Sequence, residues 1–150
     1  MVVKKMIARI VYKDEVDCSI CKLQDTVKEN SNIKRCGAIY SFEGIVRGLE
    51  PSKVTRKMVL STPDKDKCEK ELEEIITDII DKTGVIDVAV VHYLGEFEIG
   101  DSLFLAVVAG PHRQETQKAL NEVVERVKYE LDFKKEEFTE DGTNIIMSGG

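Results

Sequence analysis

The sequence predicts an α+β fold: an antiparallel sheet with packed helices in a single domain of residues 1–150. Three observations carry this. Several short β-branched runs follow one another through short polar loops, a spacing that suits antiparallel neighbours and not a doubly wound parallel sheet. Two long stretches have apolar residues at helical period, one of them bracketed by capping signals. A chain of 150 residues with 42% apolar and 33% charged residues fits one core and is long enough to bury it without staples.

Taken in order, residues 6–12 (MIARIVY) are β-branched and read as the first strand. Residues 17–29 space Cys18, Cys21, Leu23 and Val27 as a loose helix, with Asp17 or Ser19 as N-cap. Residues 36–47 read as a strand in which Gly44 marks a bulge or a close backbone approach. Residues 54–60 form the next strand, and residues 48–53 are expected to join the two as a hairpin. A helix follows, with Thr62 as N-cap and Pro63 at its first position; Cys68, Leu72, Ile75, Ile76, Ile79 and Ile80 are its apolar stripe, and Lys82 then Gly84 close it. Residues 85–93 and 102–110 are strands joined by a polar loop over 94–101. The last helix runs over 113–131, followed by strands at 133–138 and 144–147 around the Asp141-Gly142 turn.

With 22 Lys and Arg against 28 Asp and Glu, the net charge of −6 ranks a general nucleic-acid role low, since such domains are basic. An acidic chain binds an anion only where its cations gather locally. The longest apolar run, 103–109, is far short of the roughly 20 residues of a membrane span, and residues 1–5 carry lysines where a signal peptide would be apolar. A cytoplasmic location with reduced thiols is therefore expected for Cys18, Cys21, Cys36 and Cys68. Cys18 and Cys21 form a CxxC without a second pair. Inert thiols are one reading and a zinc-bound module the other, the latter requiring Cys36 and Cys68 to converge on the pair.

Among side chains able to do chemistry, Lys128 sits four residues after Val124 and three before Leu131, on the edge of the apolar stripe. It either snorkels to water or is held partly desolvated, which would depress its pKa. Of Lys134 and Lys135, alternation allows only one to face the end of the helix. Pro111-His112-Arg113 lies at a strand-to-helix junction, where free N–H groups and two cationic side chains suit a phosphate or carboxylate. Arg47 ends the glycine-containing strand, and His92 at the end of an apolar strand reads as a satisfied structural histidine.

Four segments in order, GAIYSFEGIVRG (37–48), VVHYLGEFEIGD (90–101), PHR (111–113) and VKYELDFKKEE (127–137), make the chain resemble the catalytic large subunit family of molybdopterin synthase over about residues 36–142. The resemblance implies an α+β hammerhead and a sulfurtransferase that converts cyclic pyranopterin monophosphate to molybdopterin. Its sulfur would come from the C-terminal thiocarboxylate of a small β-grasp sulfur-carrier subunit. It implies a homodimer within a heterotetramer, no metal, and no cofactor beyond the pterin substrate. It also implies Lys128 as the essential lysine, Lys135 as the second active-site lysine, and Arg47, His112 and Arg113 as substrate-binding groups. Lys134 stands where the family usually has Trp, Asp132 where Pro is common, and Tyr93 where Arg is usual. This altered rim motivates a second expectation, a divergent paralogue that binds a pterin, a phosphate or a sulfur carrier without catalysis. The sequence ends in Gly149-Gly150, as the small partner does in the family; either this is a plain flexible end, or the tail enters a pocket of its own dimer.

Overall fold

Each helix of the computed structural model, which describes residues 7–147, begins and ends on local chemistry. Helix α1 (Ile20–Lys28) starts where the Ser19 hydroxyl accepts from the Lys22 N–H, so of the two expected caps Ser19 is used. Helix α2 (Lys65–Thr83) is capped by Asp64, whose carboxylate accepts from Lys67 N–H at 3.1 Å, and not by Thr62. Pro63 thus lies before the helix. The Thr62 hydroxyl instead donates to the Asp132 carbonyl at 2.7 Å and ties the start of α2 to the segment after α3. Gly84 ends α2 at φ +79°, a conformation that disfavours any side chain. Leu72, Ile75, Ile76 and Ile79 are buried as the stripe requires, while Ile80 is only half-buried. Helix α3 (Arg113–Glu130) buries Leu120, Val123 and Val127.

The strands are β1 (Ile7–Tyr12), β2 (Ala38–Ile45), β3 (Leu49–Glu50), β4 (Lys53–Ser61), β5 (Asp87–Glu98), β6 (Ser102–Gly110), β7 (Lys134–Thr139) and β8 (Gly142–Met147). They form one sheet in the order β2-β6-β5-β4-β7-β8; β3 pairs with β4, and β1 pairs with β5 in parallel. The remaining pairs are antiparallel.

Two expectations about strands are corrected. The hairpin between β2 and β4 does not form. β6 is buried from Phe104 to Gly110 and accepts β2 on one edge and β5 on the other, whereas Pro51-Ser52 closes only the short β3–β4 turn. The polar stretch 94–101 is strand as far as Glu98. Leu94 and Phe97 are buried at 1% and 0% exposure, and residues Gly95 to Glu98 pair with β4. Gly95, at φ +119°, is where β5 bends: up to His92 it pairs with β6, and from Gly95 onward with β4. The register of β2 against β6 shifts at Gly44/Ile45, the bulge that Gly44 predicts.

Helix α3 packs on β6 and β2, and α2 packs on α3 and β1, so a single contiguous core joins sheet and helices. No helix among the described residues is long and apolar enough to cross a membrane. The Gly149-Gly150 tail lies outside the described residues.

Candidate active site

A cavity of about 190 Å³ opens at the fork of β5. One wall is Phe42 and Gly44 of β2 with Leu103 and Phe104 of β6; the other is Leu60 of β4, Phe133 and Lys135. α3 covers it with Val124, Val127 and Lys128, while Ile146 and Met147 of β8 close a side. Leu60 pairs with Gly95 on one side and with Lys135 on the other, so the bend in β5 and the entry of β7 bring Lys135 to this place. Of the two adjacent lysines, Lys135 lines the cavity and Lys134 pairs with Glu136 at 3.1 Å.

The cavity continues into a more polar trough of about 700 Å³ that shares Phe42, Gly44, Leu103, Lys128 and Lys135 with it and adds Arg47, Glu43, Glu50 and Glu137. Three of the predicted residues, Arg47, Lys128 and Lys135, therefore come together. Arg47 is held by Glu50 at 2.5 Å. The other oxygen of Glu50 lies 3.3 Å from the Lys53 amine, which also donates to the buried carboxylate of Glu137. Arg47, Glu50, Lys53 and Glu137 thus form a chain of alternating charge along the trough.

The two lysines differ in a way the sequence does not anticipate. Lys128 is exposed, its amine 5.3 Å from the Tyr129 ring centroid, so it is the snorkelling lysine of the two readings. Partial desolvation, the other reading, falls on Lys135. Burial holds the Lys135 amine below its ordinary 10.5; Glu137 opposes the shift, and the charge on Lys128 adds to it. The reason is position: Lys128 stands on the last turn of α3 facing out, whereas Lys135 starts a strand paired on both sides, by Leu60 and by Ile146.

His112 and Arg113 are not in this site. They begin α3 while Lys128 ends it, and fifteen residues at about 1.5 Å each put about 22 Å between Arg113 and Lys128. Nor is the helix start vacant. Glu115 accepts from the His112 backbone N–H at 2.8 Å and lies 3.0 Å from its ring, forming a capping box. Both His112 and Arg113 are exposed.

His92 is buried, as a structural histidine should be, yet it also lines the cavity. Its ring lies between Phe104 and Phe133, with centroids 5.3 and 4.3 Å away, and its Nδ1 is 3.0 Å from the Tyr93 carbonyl. Burial pushes its pKa down to about 4 despite that hydrogen bond, and the nearby Lys135 charge works in the same direction. Sequence reasoning missed this aromatic floor, and missed Glu137 as well. Alternation along β7 puts Lys135 and Glu137 on one face and could have found the latter; Phe133 lies between elements, where no periodicity speaks.

Cys18 and Cys36 are half-buried, Cys21 is exposed and Cys68 is buried, its thiol pushed up to about 11 by burial. Among the described residues no three His, Cys, Asp or Glu side chains converge as a metal site, so the cysteines do not assemble into the zinc module.

The profile of the MoaE protein family matches residues 15–130. A molybdopterin synthase catalytic subunit of Pyrococcus abyssi is 31% identical over 106 residues, 71% of each chain. One of Halalkalibacterium halodurans is 33% identical over 106 residues, 71% of this chain and 67% of its own. Among solved structures, molybdopterin synthase from Staphylococcus aureus superposes with a TM-score of 0.77 at 27% identity, covering 92% of this chain and 95% of its own. A complex of subunits 1 and 2 of molybdopterin-converting factor from Helicobacter pylori shares the fold, with a TM-score of 0.68 at 22% identity over 94% of this chain and 89% of its own. A family profile spanning most of the chain, together with relatives above 30% identity over 71% of it, places this chain in the MoaE family, the catalytic subunits of molybdopterin synthase.

Proposed function

We propose that the chain transfers sulfur from the C-terminal thiocarboxylate of a small β-grasp carrier subunit to cyclic pyranopterin monophosphate, forming the dithiolene of molybdopterin. The observation that carries this is the pair Lys128 and Lys135 at one cavity mouth, one amine exposed and the other held low by burial. Burial makes the Lys135 amine give up its proton more readily than a free lysine, in the direction a nucleophile or proton acceptor requires, while the exposed Lys128 ammonium supplies charge to an anion. The apolar floor suits a flat heterocycle, and the trough with Arg47 gives a phosphate or thiocarboxylate its counter-charge. The two-subunit complex of the Helicobacter pylori relative supports a small-subunit partner.

His112 and Arg113 complete this reading only across a homodimer. At about 22 Å from Lys128 within one chain, they reach a substrate in this cavity only from a second copy, which supports the dimer within a heterotetramer. The substrate must then compete with Glu115 for the His112 end of α3. No metal or resident cofactor enters the scheme, and the cytoplasm is its setting.

The test is an assay of the purified chain with thiocarboxylated small subunit and cyclic pyranopterin monophosphate, scoring molybdopterin. Product formation that depends on both components is expected. Binding of the precursor or carrier without product would assign the chain instead as a non-catalytic binding module.

A further inference from the structure

The ring of His92 stacks against both Phe104 and Phe133, and its Nδ1 meets the Tyr93 carbonyl at 3.0 Å. A carbonyl only accepts, so Nδ1 carries the proton and donates. His92 lines the cavity, and with Nδ1 engaged by a backbone carbonyl, Nε2 is the ring nitrogen left for a ligand. No hydrogen-bond partner for Nε2 is found among the described residues. Nor is it sealed in the protein: Thr55 Oγ1 is the buried side-chain polar atom without a partner there.

We propose that His92 is a specificity-determining residue of this site, its Nε2 a fixed acceptor for a ring N–H or amino group of the bound pterin. This rests on the functional reading above. Burial and the Lys135 charge keep the ring neutral, so Nε2 keeps its lone pair at neutral pH. The stack removes the ring's rotational freedom, so an acceptor held in place loses little entropy on binding. An otherwise apolar floor with one aimed acceptor discriminates: a ligand that offers an N–H there satisfies it, and one that offers another acceptor leaves two lone pairs facing each other. Lys128 and Arg47 act on the ligand as cations and Lys135 is assigned to the chemistry, so His92 supplies this cavity with a fixed hydrogen-bond acceptor.

The experiment measures binding of cyclic pyranopterin monophosphate by calorimetry to the full chain and to two variants. In His92→Asn the amide nitrogen takes the place of Nδ1 and keeps the bond to Tyr93 but has nothing at Nε2; in His92→Gln the terminal amide reaches the Nε2 position. His92→Asn is expected to bind at least about tenfold more weakly, and His92→Gln within about threefold of the wild type. Thermal melts report whether each variant folds. If His92→Asn does not, 15N spectra of the wild-type imidazole replace it: the Nε2 resonance should move on adding the precursor. Wild-type affinity in His92→Asn, equal losses in both variants, or an unmoved Nε2 resonance would overturn the inference while leaving the functional reading in place. A wild-type chain that does not bind the precursor would instead overturn that reading, and this inference with it.

Discussion

The two ends of helix α3 carry the same kind of charge in opposite settings. At its start, His112 and Arg113 are exposed, and a carboxylate of their own chain, Glu115, already occupies the His112 N–H and ring. At its end, Lys128 meets Lys135 at an apolar cavity that no carboxylate side chain among the described residues lines, although Glu43, Glu50 and Glu137 line the adjoining trough, where Glu50 already holds Arg47. Cations beside an aromatic floor are left to act on a ligand, whereas cations at a self-capped helix start first stabilise the helix. The difference lies in what faces each end: residues of β7 and β8 line the cavity beside the last turn, whereas His112 and Arg113 at the start are exposed.

The strongest way to break this comparison is at the cavity end. Lys128→Ala and Lys135→Ala are each expected to lower molybdopterin formation by about 10²- to 10⁴-fold while leaving the melting curve nearly unchanged. Near-wild-type rates in both variants would remove catalysis from this end of the helix. Because Lys135 is held below 10.5 by burial, the wild-type rate should rise with pH along a limb centred below that value, and a rate profile with no such limb would contradict its role as the free amine.

At the opposite end the expected effect is smaller. Arg113→Ala should weaken binding of the pterin phosphate by about tenfold or more, and Arg113→Lys should also weaken it although charge is kept, because lysine cannot offer the paired geometry. Mixing Arg113→Ala chains with Lys128→Ala chains sharpens the point. If the two ends of α3 serve one site across two copies, mixed dimers contain one intact site and at low substrate exceed the activity of either parent; no such gain would place the two ends in separate functions.

Two further effects concern stability. The His92 pKa falls from 6.5 to about 4 in the fold, so between those values the unfolded chain binds the extra proton. Stability should therefore fall as pH drops from about 6.5 to about 4, by up to about 3 kcal/mol, and be unaffected by this group above that window. Denaturant melts of His92→Phe, which keeps the ring stack and cannot ionise, should lack this part of the acid loss. Smallest of all, Asp64→Ala should cost about 1 kcal/mol through loss of the α2 cap. Thr62→Ala should leave the helix start intact, and the reverse order of effects would restore Thr62 as the cap.

Much of this molecule was legible in its sequence because the signals are local. The stripe of α2, the glycine that stops it, the bulge at Gly44 and the antiparallel α+β class follow from side-chain period and backbone permissiveness, which neighbouring residues decide among themselves. The candidate site residues were legible one at a time, by residue type and by resemblance. What the sequence did not carry was which of them meet. Pairing β2 with β6 and not β4, carrying β5 past Gly95 into a second set of partners, and burying Lys135 in place of Lys128 are all consequences of contacts between elements far apart in the chain. A strand pairs where its apolar faces find cover, and a lysine is desolvated by whatever packs over it. Both are set by the assembled sheet and helices, so only the tertiary structure could decide them.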